Sequence, residues 1–135
     1  MVAQQFLLCY AQVMIGATTA IGSSAEGSLT RSKLARVIAL LGRQSAVAEA
    51  LGVHRSRVTR WLAGDPLDPE NRATLDGLEY ILSRLLDHMS PATARKWLKG
   101  VNAHLGNRRP LDLIASQRIA EVVAAVEQSA VDSYA

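Results

Sequence analysis

Residues 44–62 constrain this chain more than any other stretch, because small, turn and apolar positions fall there in one register. The segment reads Gln-Ser-Ala-Val-Ala-Glu-Ala-Leu-Gly-Val-His-Arg-Ser-Arg-Val-Thr-Arg-Trp-Leu. Ala48 is small where two helices must cross closely. Gly52 follows four residues later, where a tight turn between helices asks for positive φ. Val47, Leu51 and Val53 give the first helix and the turn an apolar side. Val58, Trp61 and Leu62 stand at i, i+3 and i+4 and so share one face of a second helix. The register predicts a helix-turn-helix, with helices over about 44–51 and 55–63.

The opposite face of the second helix carries Arg55, Ser56, Thr59 and Arg60, with Arg57 at its border. Guanidinium and hydroxyl groups on an exposed helix are what reading a DNA major groove requires. Arg55, Ser56, Thr59 and Arg60 are therefore expected at base edges, and Arg57 and Gln44 at phosphates. The alternative is a helical hairpin with solvated arginines.

Charge is distributed accordingly. Between Ser28 and Gly64 there are seven Lys/Arg against Glu49 alone, whereas 65–135 hold eight basic and ten acidic residues. The net +3 of the whole chain is thus concentrated where phosphate neutralisation would use it. The acidic remainder must serve another purpose.

The 135 residues allow one domain, or two small helical modules sharing a core. A hydrophobic content of 49% excludes a wholly disordered chain. Cys9 is the single cysteine, which rules out an internal disulfide and zinc-finger spacing, and fits a reducing cytoplasm. His54, His88 and His104 have no ligand spacing, so no metal is expected. Asp65, Asp68 and Glu70 lie in a proline-rich turn with no His or Lys arranged beside them. They read as capping and solubilising groups. With no phosphate loop or nucleophile motif, no catalytic residue, enzymatic activity or cofactor is expected.

The first 27 residues form a leader. Its apolar run from Phe6 to Ile15 is too short to span a bilayer, and the basic n-region of a secretory signal is missing. An additional helix or a poorly ordered leader both fit. Beyond it, Thr30 or Ser28 can cap a helix over about 31–41, with Leu34, Val37, Ile38 and Leu41 inward and Gly42 as its stop. Gly64-Asp-Pro-Leu-Asp-Pro69 marks a boundary between modules. A long helix follows from about Pro69 to His88. Its stripe of Leu75, Leu78, Ile81, Leu82, Leu85 and Leu86 is broad enough for a core and a partner together. Ser90-Pro91 starts the next helix, with Ala94, Trp97, Leu98 and Val101 on its buried side. Trp97 reads as core rather than as a partner anchor. After a loop over 106–110, one last helix is expected over about 112–131, capped by Asp112, with Leu113, Ile114, Ile119, Val122, Val123 and Val126 inward. The expected fold is all-α: a leader (1–27), a helix-turn-helix module (28–64) and a helical domain (65–135).

The order of motifs in the second half is specific. After the helix-turn-helix and the leucine-rich helix come Ala94-Arg-Lys-Trp97-Leu98, Asn102, Leu105-Gly106 and Arg109-Pro110-Leu-Asp112-Leu-Ile114. This succession resembles the Xre–MbcA–ParS family of antitoxins over about residues 31–132. Two departures are visible: Val101 where the family often has Pro, and no glycine in Ala115-Ser-Gln-Arg-Ile119.

The resemblance implies a small helical toxin-binding domain that neutralises a RES-domain, NAD⁺-degrading toxin by covering its active-site cleft. It also implies a helix-turn-helix that represses the protein's own operon on double-stranded operator DNA. On that basis Arg108, Arg109, Gln128, Asp132, Ser133 and Tyr134 are the expected toxin contacts, and residues 127–135, otherwise a frayed tail, become a segment for the cleft. One helix-turn-helix reads few base pairs, so a homodimer within a hetero-oligomer is expected. Its pairing surfaces would be the 75–86 stripe and the last helix. The alternative is a stand-alone transcription regulator whose helical domain serves only dimerisation.

Overall fold

A single continuous core joins the reading head to the C-terminal helices, running from Leu34 in the first helix to Val126 in the last. The computed structural model describes residues 22–134. Its elements are α1 (Gly22–Leu41), α2 (Gln44–Leu51), α3 (Arg55–Ala63), α4 (Pro69–Leu86), α5 (Pro91–Lys99), a 3₁₀ turn (Ala103–Leu105), α6 (Pro110–Ala115) and α7 (Ile119–Tyr134). The fold is all-α. The one β-type pairing among the described residues is an isolated bridge between Asn102 and Arg108. The leader up to residue 21, with its Phe6–Ile15 run, lies outside the described residues.

α4 organises the molecule. Proline stands at its first turn and Asp68 caps it, accepting the Asn71 N–H at 3.2 Å. Leu75, Leu78, Ile81, Leu82 and Leu85 are all at most 1% exposed. They pack against α1, α2, α5, α6 and α7. Burying each of these side chains contributes about 1.5–3 kcal/mol. The stripe is therefore consumed inside the chain. It is not the partner surface that its breadth led us to expect, because helices on several sides of α4 divide it between them.

Three boundaries differ from the sequence reading. α1 begins at Gly22, so Ser28 and Thr30 lie inside it rather than capping it. Leu34 and Val37 anchor the helix in the core, and Ala25, Glu26 and Leu29 offset part of the cost of Gly22, Gly27 and the serines in the added turns. Glu26 adds a 3.7 Å ion pair to Arg72 of α4.

The expected last helix is two helices, α6 and α7, broken at Ser116-Gln117-Arg118. Gln117 takes φ +63°. Its N–H donates to the Ile114 carbonyl at 3.0 Å, and the Arg118 N–H to Leu113 at 2.8 Å. That is a Schellman closure with glutamine in the left-handed position where glycine is usual. Asp112 sits inside the first turn of α6, whose cap position is Arg109, so it does not cap the last helix. α7 continues to Tyr134, beyond the expected end near 131.

Candidate nucleic-acid and partner interfaces

The reading head is built from α1, α2 and α3. Ala46, Val47, Ala48, Ala50 and Leu51 of α2 are buried, as are Val58 and Trp61 of α3. Gly52 closes α2 at φ +67°, with the Val53 N–H bound to the Ala48 carbonyl at 2.9 Å. A Cβ at Gly52 would make only ordinary contact, 3.4 Å, with the Ala115 side chain of α6, so the positive φ is what favours glycine there.

Burying Val58 and Trp61 turns Arg55, Ser56, Arg57, Thr59 and Arg60 outward, and all five are exposed. Arg55, Ser56, Thr59 and Arg60 line one shallow concave surface together with His54. The Thr59 hydroxyl donates to the Gln44 side-chain oxygen at 3.2 Å, so the start of α2 and the middle of α3 form one polar surface. Arg43, Gln44, Ser45 and Arg55 line an adjoining concavity.

His54 was not singled out by the sequence, yet it caps α3. Its Nδ1 accepts the Ser56 N–H at 3.3 Å and lies 2.9 Å from the Ser56 hydroxyl. Histidine is not among the residues favoured at such caps, so residue type carried no signal there.

Ion pairs divide the head's seven cations. Lys33 pairs with Asp76 and Glu79 of α4, and Arg36 with Glu79 at 2.9 Å. Asp76 and then Glu79 raise the Lys33 pKa. Arg57 lies 3.3 Å from Asp68 and 5.6 Å from the centre of the Trp61 ring. Arg31, Arg43, Arg55 and Arg60 have no carboxylate within ion-pair distance among the described residues.

The residues expected to meet a protein partner engage different neighbours. Arg109 reaches back to the head, donating to Glu49 of α2 at 2.7 Å, and Glu49 raises its pKa. Arg108 donates to the Leu105 carbonyl at 2.8 Å and lies 3.4 Å from Glu121. The last two turns of α7 carry the others. Gln128 donates to Asp132 at 3.2 Å, Asp132 lies 3.4 Å from His104, and the Ser133 hydroxyl donates to the Ser129 carbonyl at 2.9 Å. The Tyr134 side chain lies outside the described residues. Val131 and Val101 are 62% and 71% exposed, so this end of the molecule also presents apolar side chains. Trp97 is half-buried against the core's edge rather than within it.

Arg95 was also missed. From α5 it donates to the Leu40 carbonyl at the end of α1, at 2.9 Å. With Arg109–Glu49 and the packing of α2 against α6, it fixes the head to the helices that follow. Among the described residues no group of three or more His, Cys, Asp or Glu could hold a metal ion, and no helix is long and apolar enough to cross a membrane.

Residues 84–129, from the end of α4 through most of α7, match the model of a family described as the antitoxin Xre/MbcA/ParS C-terminal toxin-binding domain. The chain is 33% identical over 84 residues to Rv3188 of Mycobacterium tuberculosis, named a probable mycobacterial cidal antitoxin. That alignment covers 62% of this chain and 72% of the relative. In fold, the chain is similar to a chain in the crystal structure of the M. tuberculosis MbcT–MbcA toxin–antitoxin complex, with a TM-score of 0.62 and 25% identity. The superposition covers 72% of this chain and 89% of that one.

Proposed function

This chain belongs to the Xre/MbcA/ParS family of antitoxins, and from that premise we propose that it neutralises a RES-domain, NAD⁺-degrading toxin and represses its own operon. The observation that carries the reading is the match of residues 84–129 to the family's toxin-binding domain. In the proposed division of labour, residues 28–64 are the DNA-reading module and residues 65–135 the toxin-binding one. The protein acts by binding, in the cytoplasm, with no chemistry and no cofactor of its own.

On DNA, Arg55, Ser56, Thr59 and Arg60 read base edges, and Gln44 and Arg57 meet the backbone. The shared concave surface of the first four supports this assignment. Two heads act together as a homodimer within a hetero-oligomer with toxin. With the leucine stripe of α4 buried, pairing uses other surfaces, among which Leu29 and Tyr80 are exposed apolar candidates.

On the toxin, the end of α7 (Gln128, Asp132, Ser133 and Tyr134) lies at or in the active-site cleft, with Arg108 and Arg109 at the contact's edge. A short segment suffices, since a correctly placed one excludes substrate sterically. The test is NAD⁺ loss in cells making the toxin with either full-length protein or a form lacking 128–135. The deletion leaves the buried Val122, Ala125 and Val126 and the Arg84–Glu127 pair in place. Weakened protection with promoter binding retained is expected. Full protection by the truncated form removes the tail from the mechanism, and no protection by the intact form removes the toxin-neutralising reading. A stand-alone regulator would bind its promoter and leave NAD⁺ loss unchanged.

A further inference from the structure

We propose that Asp68 limits this protein's affinity for DNA by competing with a phosphate for Arg57. The inference rests on the DNA-reading role given to α3. It goes further by assigning a function to a carboxylate outside the reading head.

Arg57 projects from the border of the reading face and is not free. Its Nη2 lies 3.3 Å from Asp68 Oδ1, and its guanidinium sits over the Trp61 ring. The two partners differ in how firmly they are held. Asp68 is fixed by its capping work: Oδ2 accepts the Asn71 N–H at 3.2 Å and Oδ1 accepts the Asn71 side-chain amide at 2.7 Å. Those hydrogen bonds hold its carboxyl below its ordinary value, and even an ordinary aspartate is charged at neutral pH. Arg57 is a long, exposed side chain with freedom to swing.

A duplex lying on α3 therefore offers Arg57 a choice between two anions. If Arg57 turns to a phosphate, the carboxylate stays behind, anchored at the start of α4 and unpaired beside the DNA. If Arg57 stays, one phosphate contact is lost. Either way Asp68 lowers affinity. Asp65, near the start of the same turn, lines a concavity with Arg57, Arg60, Trp61 and Pro66 but makes no ion pair with either arginine. Lys33 and Arg36 are also paired, but with α4 carboxylates on the flank of α1 rather than at the reading helix.

Asp68→Asn separates charge from capping, because asparagine is an equally good cap acceptor. Asp68→Ser is a second variant with the same property. Binding of the full chain is measured against a mixed-sequence duplex and against the duplex immediately upstream of its gene, over a range of salt. Both variants should bind about two- to five-fold more tightly, the size of effect that an exposed ion pair exerts. Their dependence of log K on log salt should steepen by about 0.9, the increment of one more neutralised phosphate. Arg57→Ala in the Asp68→Asn background should abolish both gains. Asp87→Asn removes the same charge about 28 Å along α4, beyond the screening length, and should change neither quantity. If the wild type binds and both Asp68 variants match it in affinity and slope, Asp68 is a cap only and the proposal is overturned. A gain that survives loss of Arg57 overturns it too. Failure of every form, wild type included, to bind either duplex overturns the DNA-reading role and this inference with it.

Discussion

Gly77 offers the sharpest test of how the helices meet, because its substitution by alanine should change sign with the residue opposite. In an exposed helix interior, Gly→Ala stabilises by about 1 kcal/mol through backbone entropy. At Gly77 a Cβ would lie 2.5 Å from Cδ1 and 2.9 Å from Cγ2 of Ile119, the first residue of α7. Carbon atoms pack best at about 3.5–4.0 Å, so the side chain or α7 must move, and overpacking of this kind costs about 1–3 kcal/mol. The expected net effect of Gly77→Ala is a destabilisation of about 1 kcal/mol, the overpacking cost less the propensity gain. Ile119→Ala removes all three atoms that the Cβ would meet. In that background Gly77→Ala should stabilise by about 1 kcal/mol, since only the propensity gain remains. The coupling between the two sites is then about 2 kcal/mol, within the range found for residues in contact. Urea unfolding of the four proteins, followed by circular dichroism, measures it. If Gly77→Ala stabilises equally in both backgrounds, α4 and α7 do not approach here as described.

Other outcomes follow from the same structure. Arg55→Ala and Arg60→Ala should each weaken promoter binding by about 1–3 kcal/mol with the fold intact, measured by mobility shift or anisotropy. Gln117→Gly should stabilise modestly, by up to about 1 kcal/mol, because the left-handed conformation penalises glutamine by about 1–2 kcal/mol and glycine's extra chain entropy offsets part of the gain. It also removes a hydrogen bond from Gln117 to Glu70, so Gln117→Asn is the informative partner in thermal unfolding. Arg84 holds the Glu127 carboxyl below its ordinary value, and Asn71 does the same for Asp68. Since both folded-state pKa values are depressed, the stability these groups confer is full above the ordinary carboxyl range, about pH 4. It is lost as pH falls through the depressed values. The urea midpoint should therefore drop on acidification below about pH 4, and less so in Glu127→Gln.

What the sequence determined by itself is what depends on neighbours along the chain. α2 and α3 begin and end where Gln44, Gly52, Arg55 and Ala63 said they would, because turn chemistry and a 3.6-residue period are local. Asp68 and Ser90 cap as expected, and Pro91 opens α5. The all-α class and the exposed cationic side of α3 were likewise legible, the latter because Val58 and Trp61 had to turn inward.

Where distant residues meet was settled by the fold. The break at Gln117 was missed because no glycine marks the turn; its one local sign was the five-residue step from Ile114 to Ile119, which leaves a single helix face. The leucine stripe's breadth could not say who covers it; five packed helices do. Charge counting placed seven cations on the head, but carboxylates from α4 and the turn before it, 11 to 43 residues away in sequence, engage three of them. Arg95, not singled out in the sequence, and Arg109, expected at a toxin contact, fasten the head to the body by reaching Leu40 and Glu49 across 55 and 60 residues of chain. A guanidinium on a long stem gives no sign in sequence of which anion or carbonyl will come within its reach, so this part of the candidate site had to wait for the fold.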